Sequence, residues 1–281
     1  MALVLSCCQP STILEFPYIL SPWIVDLSLG LRTVKQTSDF AKGKIEAADT
    51  RLKQYGLRGV VLLFLAIPVG LVAEFLDSFA GLVAALVLGA SGFVLIVVGL
   101  SFWMEQSNTR KGVQGEESVA WELSYLSDEF LLLNDLMLPG SKGNIDHVVV
   151  GPTGVFVVET KNYSGKYVCY GDRWFFQGIR QKYDVSSVSV QARNNARVLA
   201  DLLHSSGFTV DVSPIIVFTH PSVQLWLHSP TVQVLKSGAI CNYLLNQRPR
   251  FQLTEPYSQK VAEKILAKDR PRHSVLPGPI Q

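Results

Sequence analysis

Hydrophobic and polar positions change their rhythm along this chain, and each rhythm marks a different region. From Gly59 to Phe75 an apolar run is interrupted only by Pro68 and Glu74, and from Phe79 to Met104 a stretch of 26 residues carries no charge. About 20 apolar residues suffice to cross a bilayer, so the pattern predicts two transmembrane helices, about 59–76 and 79–104, paired as a hairpin through Glu74–Ser78. Pro68 leaves a re-entrant first segment as the alternative. Gly81, Ala85 and Gly89 fall four apart on one face of the second helix, as do Ala66 and Gly70 on the first, a spacing that lets backbones approach. Ahead of them, Phe40, Ile45, Ala48 and Leu52 recur at helical spacing among charges between Ser38 and Arg58. This predicts an amphipathic or solvated helix leading to the membrane. Residues 1–37 are apolar but broken by Pro10, Pro17 and Pro22, and they lack the basic opening of a signal peptide.

Beyond a short polar linker, Glu105–Gln114, the rhythm becomes that of an α/β domain. Gly115–Tyr125 predicts a helix and Glu129–Leu138 a strand. Ile145–Val150 and Val155–Lys161 are β-branched and aromatic runs around Gly151-Pro152-Thr153-Gly154, which is turn chemistry, so a hairpin follows. A second hairpin pairs Lys166–Tyr170 with Arg173–Gln177 around Gly171-Asp172. Ser186–Ser205 predicts a helix that buries Val190, Ala196, Leu199, Leu202 and Leu203. Then come a buried strand, Pro214–Thr219, a loop holding His220 and His228, a strand at Thr231–Leu235, helices at Gly238–Leu245 and Pro256–Ala267, and a basic tail. The expected fold is α/β, a mixed central sheet flanked by helices and preceded by two transmembrane helices. Its parts are 1–58 (leader and amphipathic segment), 59–104 (hairpin), 112–235 (α/β domain) and 236–281 (C-terminal helices and tail).

The first hairpin carries the chemistry. If it is symmetric about Pro152 and Thr153, Val150 faces Val155, Val148 faces Val157 and Asp146 faces Glu159, with Lys161 on the same face. Opposed residues have Cβ atoms about 4.5–5.5 Å apart, and like charges so placed repel. A divalent cation between the carboxylates, with Lys161 beside it, removes the repulsion and supplies a Lewis acid for phosphodiester hydrolysis. The plain alternative is a surface salt bridge at a strand end, worth about 0–1 kcal/mol. Apolar flanks argue against a solvated edge.

Asp followed across a hairpin by Glu-x-Lys is the pattern of the PD-(D/E)xK, restriction-endonuclease-like nucleases. Gly115-Glu116, Asn144-Ile-Asp-His-Val-Val-Val150, Gly154-Val-Phe-Val-Val-Glu-Thr-Lys-Asn162 and Gly165 together closely resemble the nuclease-related (NERD) domain over about residues 112–220. No proline precedes Asp146. The resemblance implies a restriction-endonuclease-like fold, a metal site that Glu116 also reaches, and Gln191 as the glutamine on the helix after the core lysine. Asp146, Glu159 and the Thr160 backbone carbonyl would hold Mg²⁺ or Mn²⁺, and Lys161 would orient or help deprotonate the attacking water. Read from the residues alone, Glu116 is a helix-dipole partner and Gln191 a surface polar residue.

Composition refines this picture. Hydrophobic residues make up 48% and charged residues 17%, and the mean hydropathy is +0.25, an excess concentrated between residues 59 and 104. A net charge of +2 provides no global basic field for nucleic acid. Cys7, Cys8, Cys169 and Cys241 have no Cys-x-x-Cys spacing and read as reduced thiols. Seven Lys and Arg lie between Arg32 and Arg58, none between Gly59 and Thr109, and Arg110 and Lys111 follow, so both ends are expected in the cytoplasm. Trp174 and Phe176 stack bases or pack a sheet; Arg193 and Arg197 bind phosphate or stay solvated. The expected function is that of a membrane-anchored Mg²⁺- or Mn²⁺-dependent nuclease acting on nucleic acid, DNA rather than RNA. The alternative is a non-catalytic membrane-tethered module that binds nucleic acid or protein. A transporter is disfavoured, since Glu74 is the only ionisable residue in either span.

Overall fold

A computed structural model describes residues 32–35, 39–76, 79–249 and 252–270. Its elements are β1 (Arg32–Lys35), α1 (Asp39–Phe75), α2 (Phe79–Leu123), β2 (Leu131–Leu136), β3 (Ile145–Gly151), β4 (Gly154–Lys161), β5 (Gly165–Tyr170), β6 (Arg173–Gln177), β7 (Lys182–Val185), α3 (Val188–Ser205), β8 (Val212–Phe218), β9 (Val223–His228), β10 (Gln233–Lys236), α4 (Ile240–Leu245) and α5 (Glu255–Leu266). They fall into two compact units, one within Thr37–Glu117 and one taking in β1 and Ser118–Arg270. The leader apart from β1, Cys7, Cys8 and the end of the basic tail lie outside the described residues.

In the first unit, α1 and α2 are long and apolar enough to cross a membrane. Two expectations are corrected here. The amphipathic segment and the first apolar run form a single helix of 37 residues, and Pro68 sits inside it. The segment Glu105–Gln114 is no linker, because α2 continues through it for 45 residues. That segment contains no proline, and the Thr109 hydroxyl donates back to the Glu105 carbonyl at 2.9 Å, so its polarity reflects solvent rather than a break in the helix. The small residues face one another as their spacing implies. A Cβ on Gly70 would lie 3.5 Å from that of Ala85, and one on Gly89 would lie 3.9 Å from that of Ala66. The closest approach is at Gly59 and Gly92, where an added Cβ would stand 2.8 Å from the other's carbonyl oxygen.

The second unit is mixed α/β. A six-stranded sheet runs β1-β2-β3-β4-β8-β10, with β2, β3 and β4 antiparallel and β8 and β10 parallel to β4. Its central strands are buried on both faces, which is why they read as continuous apolar runs rather than alternating ones. On one face Leu133, Val148 and Val157 pack against Leu199 and Leu203 of α3 and Val261 and Ile265 of α5. On the other, Leu132, Val149, Phe156 and Val158 meet Val119 and Leu123 of α2 and Ile240 and Leu244 of α4.

A second, four-stranded sheet, β7-β6-β5-β9, was not expected as such. The predicted loop between His220 and His228 contains β9, whose Val-Gln-Leu-Trp-Leu-His alternates with period two and pairs in parallel with β5. Trp174 is core: its indole N–H donates to the Ser189 hydroxyl at 2.8 Å in a buried contact. On α3 the buried set is Val188, Ser189, Ala192, Asn195, Ala196, Leu199 and Leu203, so Val190 is exposed where burial was expected. Arg193 is paired with Asp172 and bonded to Thr231.

Candidate active site

The β3–β4 ladder has the expected register, with Val150 opposite Val155, Val148 opposite Val157 and His147 opposite Val158. Pairing stops there. One residue further, the Asp146 carboxylate takes the place of a backbone acceptor, with Oδ2 receiving the Thr160 N–H at 2.7 Å. The two strands thus separate where the acidic residues stand. Lys161 turns its carbonyl toward β8, where it accepts from Thr219 N–H at 3.0 Å. Adjacent residues of a strand point their backbone groups to opposite sides, so the Thr160 carbonyl faces the same side as Asp146.

Glu159 is 1% exposed, yet both of its oxygens have partners. Oε1 accepts from Lys161 Nζ at 2.6 Å, and Oε2 accepts from the Asn195 amide at 3.2 Å. Lys161 Nζ also donates to Gln191 Oε1 at 3.3 Å and lies 5.9 Å from the centre of the Tyr163 ring. The amphipathic spacing of α3 puts Gln191 and Asn195 one turn apart on the face that meets β4. Burial pushes the Glu159 carboxyl above the usual carboxylate range, more than Lys161 and Asn195 pull it down. Burial also works against the Lys161 ammonium, but the negative charge of Glu159 above all, with Tyr163 and Asp146, outweighs it and raises its pKa. Burial thus works against both charges, and the 2.6 Å contact between them is what favours the ammonium.

On β3 beside Asp146, His147 is wholly buried and its pKa is pushed down to about 3 by burial. Its Nδ1 meets the Asn134 side-chain oxygen at 2.7 Å, so the ring is neutral and structural at ordinary pH.

The site as described therefore unites Asp146, Glu159, Thr160, Lys161 and Gln191. It adds Asn195, which the sequence offered only as a neighbour of Gln191. Glu116 is half-buried in α2 and belongs to the other unit, so its place as a ligand rests on the resemblance alone. Among the described residues no three His, Cys, Asp or Glu side chains are grouped to hold a metal. What the site does offer is a hard oxygen set of two carboxylates and a carbonyl, which suits Mg²⁺ or Mn²⁺ and not a thiolate- or imidazole-seeking ion.

Residues 111–219 match the family model of the nuclease-related domain, which suggests a nuclease-related function for this part of the chain. An uncharacterized protein of Bacillus anthracis is 42% identical over 80 residues, covering 26% of this chain. The match spans 36% of that relative's length. No solved structure matches the chain.

Proposed function

We propose that this chain is a membrane-anchored, metal-dependent nuclease that hydrolyses phosphodiester bonds of nucleic acid, DNA in preference to RNA, on the cytoplasmic side of the bilayer. The observation that carries the reading is the buried Glu159 carboxylate 2.6 Å from Lys161 Nζ, beside Asp146 at the point where the hairpin opens. An ordinary surface salt bridge would be solvated and nearly worthless; this one is neither exposed nor isolated. Asp146, Glu159 and the Thr160 carbonyl would hold Mg²⁺ or Mn²⁺, with Glu116 added by the family resemblance. Bound there, the ion supplies Lewis acidity at the phosphate and lowers the pKa of a coordinated water.

The protein's own groups do the rest. The Thr160 N–H fixes the orientation of Asp146, and the Asn195 amide fixes Glu159. Lys161, with its pKa raised by its acidic neighbours, remains an ammonium. It is therefore suited to donate to a phosphate oxygen and offset the charge that develops in the transition state. With the ion bound, whose charge opposes the ammonium, Lys161 would orient the attacking water or help deprotonate it. Gln191 accepts a second bond from the same ammonium at 3.3 Å.

The test uses the full chain in detergent micelles with end-labelled DNA and RNA, single- and double-stranded, in Mg²⁺, Mn²⁺ or EDTA. Cleavage should require the ion and fall at least a hundredfold in Lys161→Ala, consistent with the loss of one preorganised charge-stabilising donor, roughly 10²–10³ in rate. Wild-type protein that binds nucleic acid and cleaves none of it with either ion is a tethered binding module. A Lys161→Ala protein that cuts at the wild-type rate overturns the mechanism.

A further inference from the structure

The β7-β6-β5-β9 sheet has two unlike faces. One, with Tyr167, Cys169, Trp174 and Val223, packs into the core. The other is set by the register: Val168 stands between Phe175 of β6 and Trp226 of β9, and Tyr170 stands between Arg173 and His228. Tyr170 is 47% exposed and Trp226 44%. Among the described residues nothing in the core clusters covers them.

The aromatics on this outer face are interleaved with cations. Lys166 Nζ lies 5.7 Å from the Trp226 ring centre, the Arg173 guanidinium 5.2 Å from Phe175, and Lys182 Nζ 5.4 Å from Tyr170. Tyr170 and His228 stack at 4.6 Å with 9° between their planes. Asp184 is the one acid on these four strands' outer face; it reaches Arg173 at 3.5 Å with both side chains about 70% exposed, a weak pair. The face is net positive although the whole chain is nearly neutral. Along the strands its exposed apolar groups are rings, with the aliphatic Val168 buried beneath them, while Ile179 stands fully exposed at the β6–β7 turn.

We propose that this outer face binds a single strand of DNA. Unpaired bases stack on exposed rings whatever their sequence, and Lys and Arg between the rings meet the phosphates. A four-stranded sheet presenting rings from adjacent strands suits consecutive splayed bases, whereas a duplex hides its base faces. A lipid surface is less well matched, because among the described residues Ile179 at the β6–β7 turn is the one exposed aliphatic side chain that accompanies the rings, and the cations lie among them rather than on an opposite face. The identity of the polymer rests on the nuclease reading above, but the surface is separate from Asp146, Glu159 and Lys161. It would hold the strand while the site cuts it.

The experiment is fluorescence anisotropy of a labelled 20-nucleotide single-stranded DNA with the full chain in detergent micelles, in EDTA so that no cleavage intervenes. The expected result is at least tenfold weaker binding by Tyr170→Ala/Trp226→Ala, affinity within about twofold of wild type for Tyr170→Phe/Trp226→Phe, and weakened, less salt-dependent binding by Lys166→Gln/Lys182→Gln. The phenylalanine and glutamine variants keep the test decisive if the alanine variant misfolds. A wild-type chain that binds the strand through these rings yet cuts no nucleic acid with either ion leaves this surface standing while the catalytic reading fails. Equal affinity of wild type and the alanine and glutamine variants overturns the proposal. So does tighter binding of the duplex than of the single strand, or no measurable binding of the oligonucleotide by wild type.

Discussion

Asn195 shows what a single residue contributes to the site. Its amide is the neutral donor to Glu159 Oε2, and the carboxylate is buried, so losing that donor leaves a buried acceptor unmatched at a cost of about 1–3 kcal/mol. Asn195→Ala should lower the urea midpoint of the α/β unit, followed by near-UV circular dichroism. Asn195→Asp should lower it further by setting like charge against Glu159, and Mg²⁺ or Mn²⁺ should restore it more than in wild type. If the ions raise the two midpoints equally, no cation is shared near Glu159. The sequence revealed Asp146, Glu159 and Lys161 because charge within a β-branched run is anomalous. It could not single out Asn195, whose partner stands 36 positions away. The same contact explains Val190: α3 turns Asn195 inward to meet the carboxylate, and the helical face shifts so that Val190 looks outward.

Among the elements, the hairpin was readable to the register because Gly151-Pro152-Thr153-Gly154 fixes its turn and both strands are β-branched. Helix ends were less readable. Polar residues in 105–114 suggested a linker, yet helix continuation needs only the absence of breakers, not apolarity. β9 was hidden because its alternation is only six residues long and lies in a segment read as a loop. Helix pairing in the first unit makes its own prediction. Ala66 and Gly89 have positions whose Cβ atoms would lie 3.9 Å apart, within the usual disulfide range of about 3.5–4.5 Å. In a background without the native cysteines, Ala66→Cys/Gly89→Cys should form an intramolecular disulfide under mild oxidation, detected by mass after alkylation. Adding Gly92→Leu should suppress it, because no side chain fits 2.8 Å from the Gly59 carbonyl. A disulfide that forms as fast with Leu at 92 contradicts the packing.

For the molecule as a whole, the charges around α1 and α2 predict its topology. Lys and Arg crowd both outer ends of the helix pair and are missing from the turn between them, so the turn should lie outside and the C-terminus in the cytoplasm. Reporters active on only one side of the membrane, placed at residue 77 and after Gln281, test this. A C-terminal reporter found outside overturns the hairpin and removes the domain from intracellular nucleic acid. The two-sheet plan of the α/β unit carries a different implication. Both connections to the second sheet leave from neighbouring strand ends, Lys161 of β4 and Phe218 of β8, which stand opposite each other in the ladder. The smaller sheet is thus plugged into a single socket of the larger one. If the smaller sheet binds the polymer and the β3–β4 site cuts it, as proposed, exchanging β5–β7 and β9 as a cassette between relatives would change which polymer is held without touching Asp146, Glu159 or Lys161.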